Sequence, residues 1–78
     1  MLNEVKWERI YLALGYTDLR LDIDGLAMKV KECFHLDPYE KNVLFLFCGR
    51  KPNKMKGLVW EGDGFVLLYK RLENGRFR

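Results

Sequence analysis

The period of the apolar positions changes along the chain, and each change marks an element. Near the start, Ile10, Leu12 and Leu14 alternate with Tyr11 and Ala13, the two-residue period of a short strand over 9–14 that Gly15 closes. The segment GYTDLRLDIDG is dense in glycine and aspartate, suits turns, and places Asp24 as an N-cap ahead of Leu26. A helix is predicted over 25–35, where Leu26, Val30 and Phe34 recur on one face with Ala27 and Cys33 beside them and Lys29, Lys31 and Glu32 elsewhere. Asp37-Pro38 is expected to end it, because proline drives its predecessor out of helical geometry.

The second half reads as a meander. Val43 to Cys48 is apolar on both alternating faces, the pattern of an interior strand. A polar loop, Gly49 to Asn53, leads to a strand over 54–60 with Lys54, Lys56, Leu58 and Trp60 on one face and Met55, Gly57 and Val59 on the other. The turn Glu61-Gly62-Asp63-Gly64 follows, its Asp-Gly favouring the positive backbone angles of a tight hairpin, and then a strand over 65–71. Asn74-Gly75 signals one more reversal, with Arg76-Phe77-Arg78 as the stub of a further strand. The expected fold is α+β, a small, mainly antiparallel sheet of about four strands in the order β-α-β-β-β with one amphipathic helix packed on one face. A central strand apolar on both faces needs two covers, and one helix supplies one. The other face is expected to meet a larger protein, residues beyond Arg78, or a second copy of the chain as a homodimer.

Composition narrows the class. A chain of 78 residues is one domain, 1–78, and a domain of that size buries about 60% of its unfolded surface. Its 49% apolar and 14% aromatic content describes a packed core and not a disordered segment. Val43 to Cys48 is the longest apolar run, far short of the roughly 20 residues that cross a bilayer, so no membrane partner is expected. MLNEVKWERI lacks the basic segment and apolar core of a signal peptide, so a cytoplasmic location is expected. Cys33 and Cys48 read as buried thiols in a reducing compartment.

The net charge of +3 conceals a split. Residues 1–40 hold five Lys/Arg against eight Asp/Glu and residues 41–78 hold nine against three, so the halves carry −3 and +6. In an up-down-up meander the 50–54 loop and the end of the last strand meet at one end of the sheet, with Glu61 and Asp63 at the other. Arg50, Lys51, Lys54, Lys56, Lys70, Arg71, Arg76 and Arg78 are therefore the candidate phosphate-contacting residues. Trp60, Phe65 and Tyr69 lie nearby and could stack on unpaired bases, but the preferred reading is core.

Catalytic chemistry is poorly supplied. The chain has no serine, one threonine (Thr17) and one histidine (His35), and Cys33 and His35 are two apart, which on a helix points them to different faces. A catalytic reading would fall to Asp18, Asp63 or His35, which share no recognisable spacing. No metal-ligand spacing and no phosphate-cradling glycine loop occurs, and Asp22-Ile23-Asp24-Gly25 is a turn and cap, not a calcium loop. No cofactor, metal or enzymatic activity is expected.

Several motifs in one order give the chain a specific likeness. GYTDLR (15–20), IDGL (23–26), LDP (36–38), LFLFCGRK (44–51), LVWEGDGF (58–65) and YKRLENGRF (69–77) resemble the small TnpB-type accessory proteins, encoded by the second open reading frame, of the insertion-sequence-66 family of bacterial transposable elements. The resemblance implies a role in transposition beside a sister accessory protein and a larger transposase that carries the catalytic carboxylates, with no chemistry of its own. Members continue past the GRF motif with a tryptophan, a proline and a further segment, so this chain is expected to lack a C-terminal segment of the family. The expected function is that of a non-enzymatic accessory protein contacting DNA at the element ends through its basic sheet end. The alternative is an adaptor docking its apolar sheet face on the transposase or the sister subunit.

Overall fold

The computed structural model describes residues 7–73. Four strands form one sheet in the order β1-β2-β3-β4: β1 (Arg9–Leu12), β2 (Val43–Cys48), β3 (Lys54–Trp60) and β4 (Phe65–Arg71). β2 runs antiparallel to β3, and β3 to β4, as the meander predicts. β1 lies parallel to β2, with Arg9 opposite Val43 and Leu12 opposite Leu46. A parallel pair needs a crossover, and the helical segment between the two strands provides it. β1 is shorter than the apolar alternation implies, because after Ala13 donates to the Leu46 carbonyl at 3.0 Å the chain turns at Gly15, whose φ is +74°.

The helix α1 (Ile23–Lys29) corrects the expected cap. Asp22, not Asp24, precedes it: the Asp22 backbone is extended, and its Oδ1 accepts from the Gly25 N–H at 2.9 Å. The reason is packing, since Ile23 lies against the core and must already be helical, which leaves Asp24 in the first turn. Replacing Asp22 with alanine should cost about 1 kcal/mol of stability in a urea titration, and Asp24→Ala much less.

After Lys29 the helix widens into a π turn, Val30–Phe34, that ends where His35 takes a left-handed φ of 56°. His35, not Asp37-Pro38, is therefore the stop. Asp37 caps a separate turn by accepting from the Tyr39 N–H, and Pro38 is buried. In a wide turn each residue advances less around the axis. Phe34 thus stays in line with Leu26 and Val30, while Cys33 rotates off the stripe and is exposed. The expectation of two buried thiols fails: Cys33 is exposed, Cys48 is half-buried, and both are free.

The core lies between α1, its π turn and one face of the sheet, where Leu26, Val30, Phe47 and Leu58 have no exposed surface. Tyr11, Phe34 and Phe45 pack with ring centroids 5.7–5.9 Å apart, within the range of favourable aromatic contact. On the far face the sheet covers itself in part. Leu44, Leu46 and Leu68 close over Gly57, where a Cβ would lie 3.2 Å from Leu44 and 3.3 Å from Leu46, and Leu44 and Val59 are buried. Toward β1 the face stays open, with Ile10 56% and Leu12 53% exposed.

The β3–β4 hairpin also differs in detail from its sequence signal. The left-handed position is Gly62, at φ +100°, instead of the Asp63-Gly64 pair, and the Glu61 N–H donates to the Gly64 carbonyl at 2.9 Å. Four loop residues place the special angle one step earlier than a two-residue turn would. The reversal expected at Asn74-Gly75 lies outside the described residues.

Candidate nucleic-acid interface

The β2–β3 turn presents the first basic residues. The Gly49 N–H donates to the Lys54 carbonyl at 3.1 Å and the Lys54 N–H to the Lys51 carbonyl at 3.3 Å, so Arg50 and Lys51 project from a closed loop. Strand β4 returns to this end, with Lys54 opposite Arg71 and Met55 opposite Lys70. The Leu72 N–H donates to the Asn53 carbonyl at 2.8 Å and ties the strand end to the loop.

The β1–α1 connection completes the site. The Thr17 N–H donates to the Cys48 carbonyl at 2.7 Å, which holds residues 16–20 against the same loop. Leu19 packs on Gly49 so closely that a Cβ there would lie 2.7 Å from Leu19 Cδ1. A side chain at this position would have to push Leu19 aside. Between the two segments runs a cleft of about 710 Å³ lined by Tyr16, Thr17, Asp18, Leu19, Arg20, Gly49, Arg50, Lys51, Lys54 and Tyr69. Its side chains include four cations and one carboxylate, a net charge of +3.

Two local pairings organise these charges. The Arg50 guanidinium lies 4.6 Å from the Tyr16 ring centroid and donates to the Tyr16 hydroxyl at 2.8 Å, which combines cation–π attraction with a hydrogen bond. Arg20 grips Asp18 through two nitrogens, at 3.0 and 2.9 Å, while its backbone N–H donates to the same carboxylate. These hydrogen bonds lower the Asp18 pKa to about 2. Asp18 therefore stays ionised and paired at neutral pH, and the cleft keeps its charge there.

Of the eight cations singled out from the sequence, Arg50, Lys51 and Lys54 line the cleft. Lys56 shares their face but donates from Nζ to the Leu21 carbonyl at 3.3 Å, bracing the segment before α1. Arg71 is paired with Glu73 at 2.8 Å. Lys70 alternates onto the opposite face, beside Leu46, Met55 and Leu68. Arg76 and Arg78 lie outside the described residues. Sequence reasoning missed Tyr16 and Arg20. The signal available was the GYTDLR motif itself, whose contact with the loop depends on a pairing between residues 34 positions apart.

The remaining candidates are dispersed. Trp60, Phe65 and Tyr39 pack together at 4.9–5.1 Å, Trp60 and Phe65 flanking the Glu61–Gly64 turn at the far end of the sheet from the cleft, so Tyr69 is the one sequence-singled aromatic at the basic end. Asp63 belongs to that distant hairpin and His35 to the end of the π turn. Among the described residues no cluster of three or more His, Cys, Asp or Glu could hold a metal ion, and no helix is long and apolar enough to cross a membrane.

A four-stranded mixed sheet with one helix, carrying a basic, tyrosine-flanked cleft at one end, makes this a small α+β domain. Its sequence matches the profile of the IS66 Orf2 like proteins over residues 8–78, and the chain belongs to that family of insertion-sequence accessory proteins. It is similar to two uncharacterized proteins of Sinorhizobium fredii. One, y4hO, is 41% identical over 69 residues, covering 88% of this chain and 59% of the relative. The other, y4jC, is 30% identical over 77 residues, covering 99% of this chain and 65% of the relative. The chain thus spans less than two thirds of the length of either. No solved structure gives a significant match.

Proposed function

We propose that this protein is a non-enzymatic accessory factor in DNA transposition, acting in the cytoplasm with the transposase and contacting DNA at the element ends through its basic cleft. The observation that carries the reading is the convergence of Arg20, Arg50, Lys51 and Lys54 from two separate segments onto one cleft. Scattered surface cations are ordinary, whereas cations gathered around a concave site create a local field that draws in a polyanion. Phosphates neutralised there release counterions, so affinity should fall steeply with salt. Fluorescence anisotropy of labelled element-end DNA across a salt series tests this. Absence of salt-sensitive binding at micromolar protein would remove the reading.

A second reading rests on Ile10 and Leu12, which leave an apolar strip exposed on β1. That strip could dock on the transposase or the sister accessory protein, with affinity coming from buried apolar area. Leu12→Asp should then abolish co-purification with the transposase while leaving DNA anisotropy unchanged. If the substitution instead turns a dimer into a monomer in light scattering, a second copy is the occupant.

A further inference from the structure

The proposed DNA contact leaves open which form of DNA is bound, and the cleft itself bears on the choice. Tyr16 is 62% exposed and Tyr69 55% exposed, yet both line the same basic depression. Tyr16 is held by Arg50 and Tyr69 stands on β4, so each leaves ring surface open to the depression. By contrast, Trp60 and Phe65 are engaged with Tyr39 at the far hairpin and are unavailable. One face of the Tyr16 ring already carries the Arg50 guanidinium, a planar cation on which a base can stack as it would on an aromatic ring.

Size argues in the same direction. A depression of about 710 Å³ falls among clefts that hold small molecules, roughly 300–1,000 Å³. That admits one or two nucleotides. A duplex, whose major groove alone is about 12 Å wide, can only lie across the mouth, and its stacked bases present no free ring face to the tyrosines.

We infer that the cleft receives unpaired nucleotides of single-stranded DNA, with Tyr16, Arg50 and Tyr69 offering stacking surfaces and Lys51 and Lys54 contacting the flanking phosphates. The inference rests on the DNA reading above and sharpens it to a substrate class. Stacking on exposed rings tolerates any base, so recognition at this site is of strandedness and not of sequence.

The test compares an oligothymidylate with a duplex of equal length, by anisotropy at one fixed salt concentration, for the full chain and for Tyr16→Ala, Tyr69→Ala and Tyr69→Phe. Both tyrosines are on the surface, and circular dichroism checks that the variants keep the fold. The single strand should bind more tightly than the duplex. Each alanine variant should weaken single-strand binding about 5- to 100-fold; Tyr69→Ala, which touches none of the cations' hydrogen bonds, should do so with the salt slope unchanged, and Tyr69→Phe should retain binding. Duplex binding that equals or exceeds single-strand binding, or alanine effects below about twofold, would overturn the inference and leave backbone contact standing. Binding to neither would sink the DNA reading and this inference together.

Discussion

Reversing Arg50, Lys51 and Lys54 together to glutamate should reduce DNA affinity on the order of 100-fold or more and lower the slope of log K against log salt by roughly 1.5–2. The three cations line one cleft, so the substitution changes its net charge from +3 to −3. On a single strand each phosphate contact contributes about 0.7 to the salt slope, so the loss of slope counts the contacts removed. Two controls sharpen the result. Lys70→Glu alters the overall charge on the opposite face and should cost little. Arg71→Glu breaks a surface pair with Glu73, whose energetic value is small. Lys56→Glu is the wrong probe, because its Nζ holds the Leu21 carbonyl and its loss would disturb the turn before α1. A triple variant that binds within about threefold of the parent would eliminate the cleft as the DNA site.

Phe45→Ala should lower the thermal midpoint by at least about 12 °C, followed by circular dichroism. Phe45 sits in the central strand with 1% of its surface exposed, between Tyr11 and Phe34 at centroid distances of 5.7 Å. Truncating a buried phenylalanine costs about 3–5 kcal/mol, from lost transfer energy and the cavity left behind. A domain this size has roughly 4–12 kcal/mol in total, so the variant gives up a large share of its stability. In domains of this length each kcal/mol shifts the midpoint by about 4–8 °C. Phe45→Leu retains most of the volume and should fall between the two proteins. A shift under about 5 °C for the alanine variant would mean that the three rings do not form the stabilising centre of the core.

Much of this fold was legible because its signals are local. The apolar run at 43–48, the alternation at 54–60 and the turn residues at 61–64 mark β2, β3 and β4 at the boundaries observed. The errors also have local causes. Asp22 and Asp24 are equally good caps in isolation, and the choice falls to Asp22 because Ile23 must reach the core. Cys33 belongs to the apolar stripe of an ideal α-helix and leaves it because the helix ends in a π turn. The candidate site was half legible. The meander alone brings the 50–54 loop to the end of β4, but strand alternation sends Lys70 to the far face, and hydrogen bonds draw Lys56 and Arg71 toward partners of their own.

By itself the sequence determines the element order, the basic second half, the family and the poverty of catalytic groups, because these follow from residue identity and short-range spacing. Only the tertiary structure decides that Tyr16 and Arg20, from the acidic half, join Arg50, Lys51, Lys54 and Tyr69 around one cleft. That meeting depends on the parallel pairing of β1 with β2 and on the Thr17–Cys48 hydrogen bond, contacts between residues more than thirty positions apart. Such contacts leave no periodic trace, since their energy is realised only when the whole sheet and its helix have closed on one core.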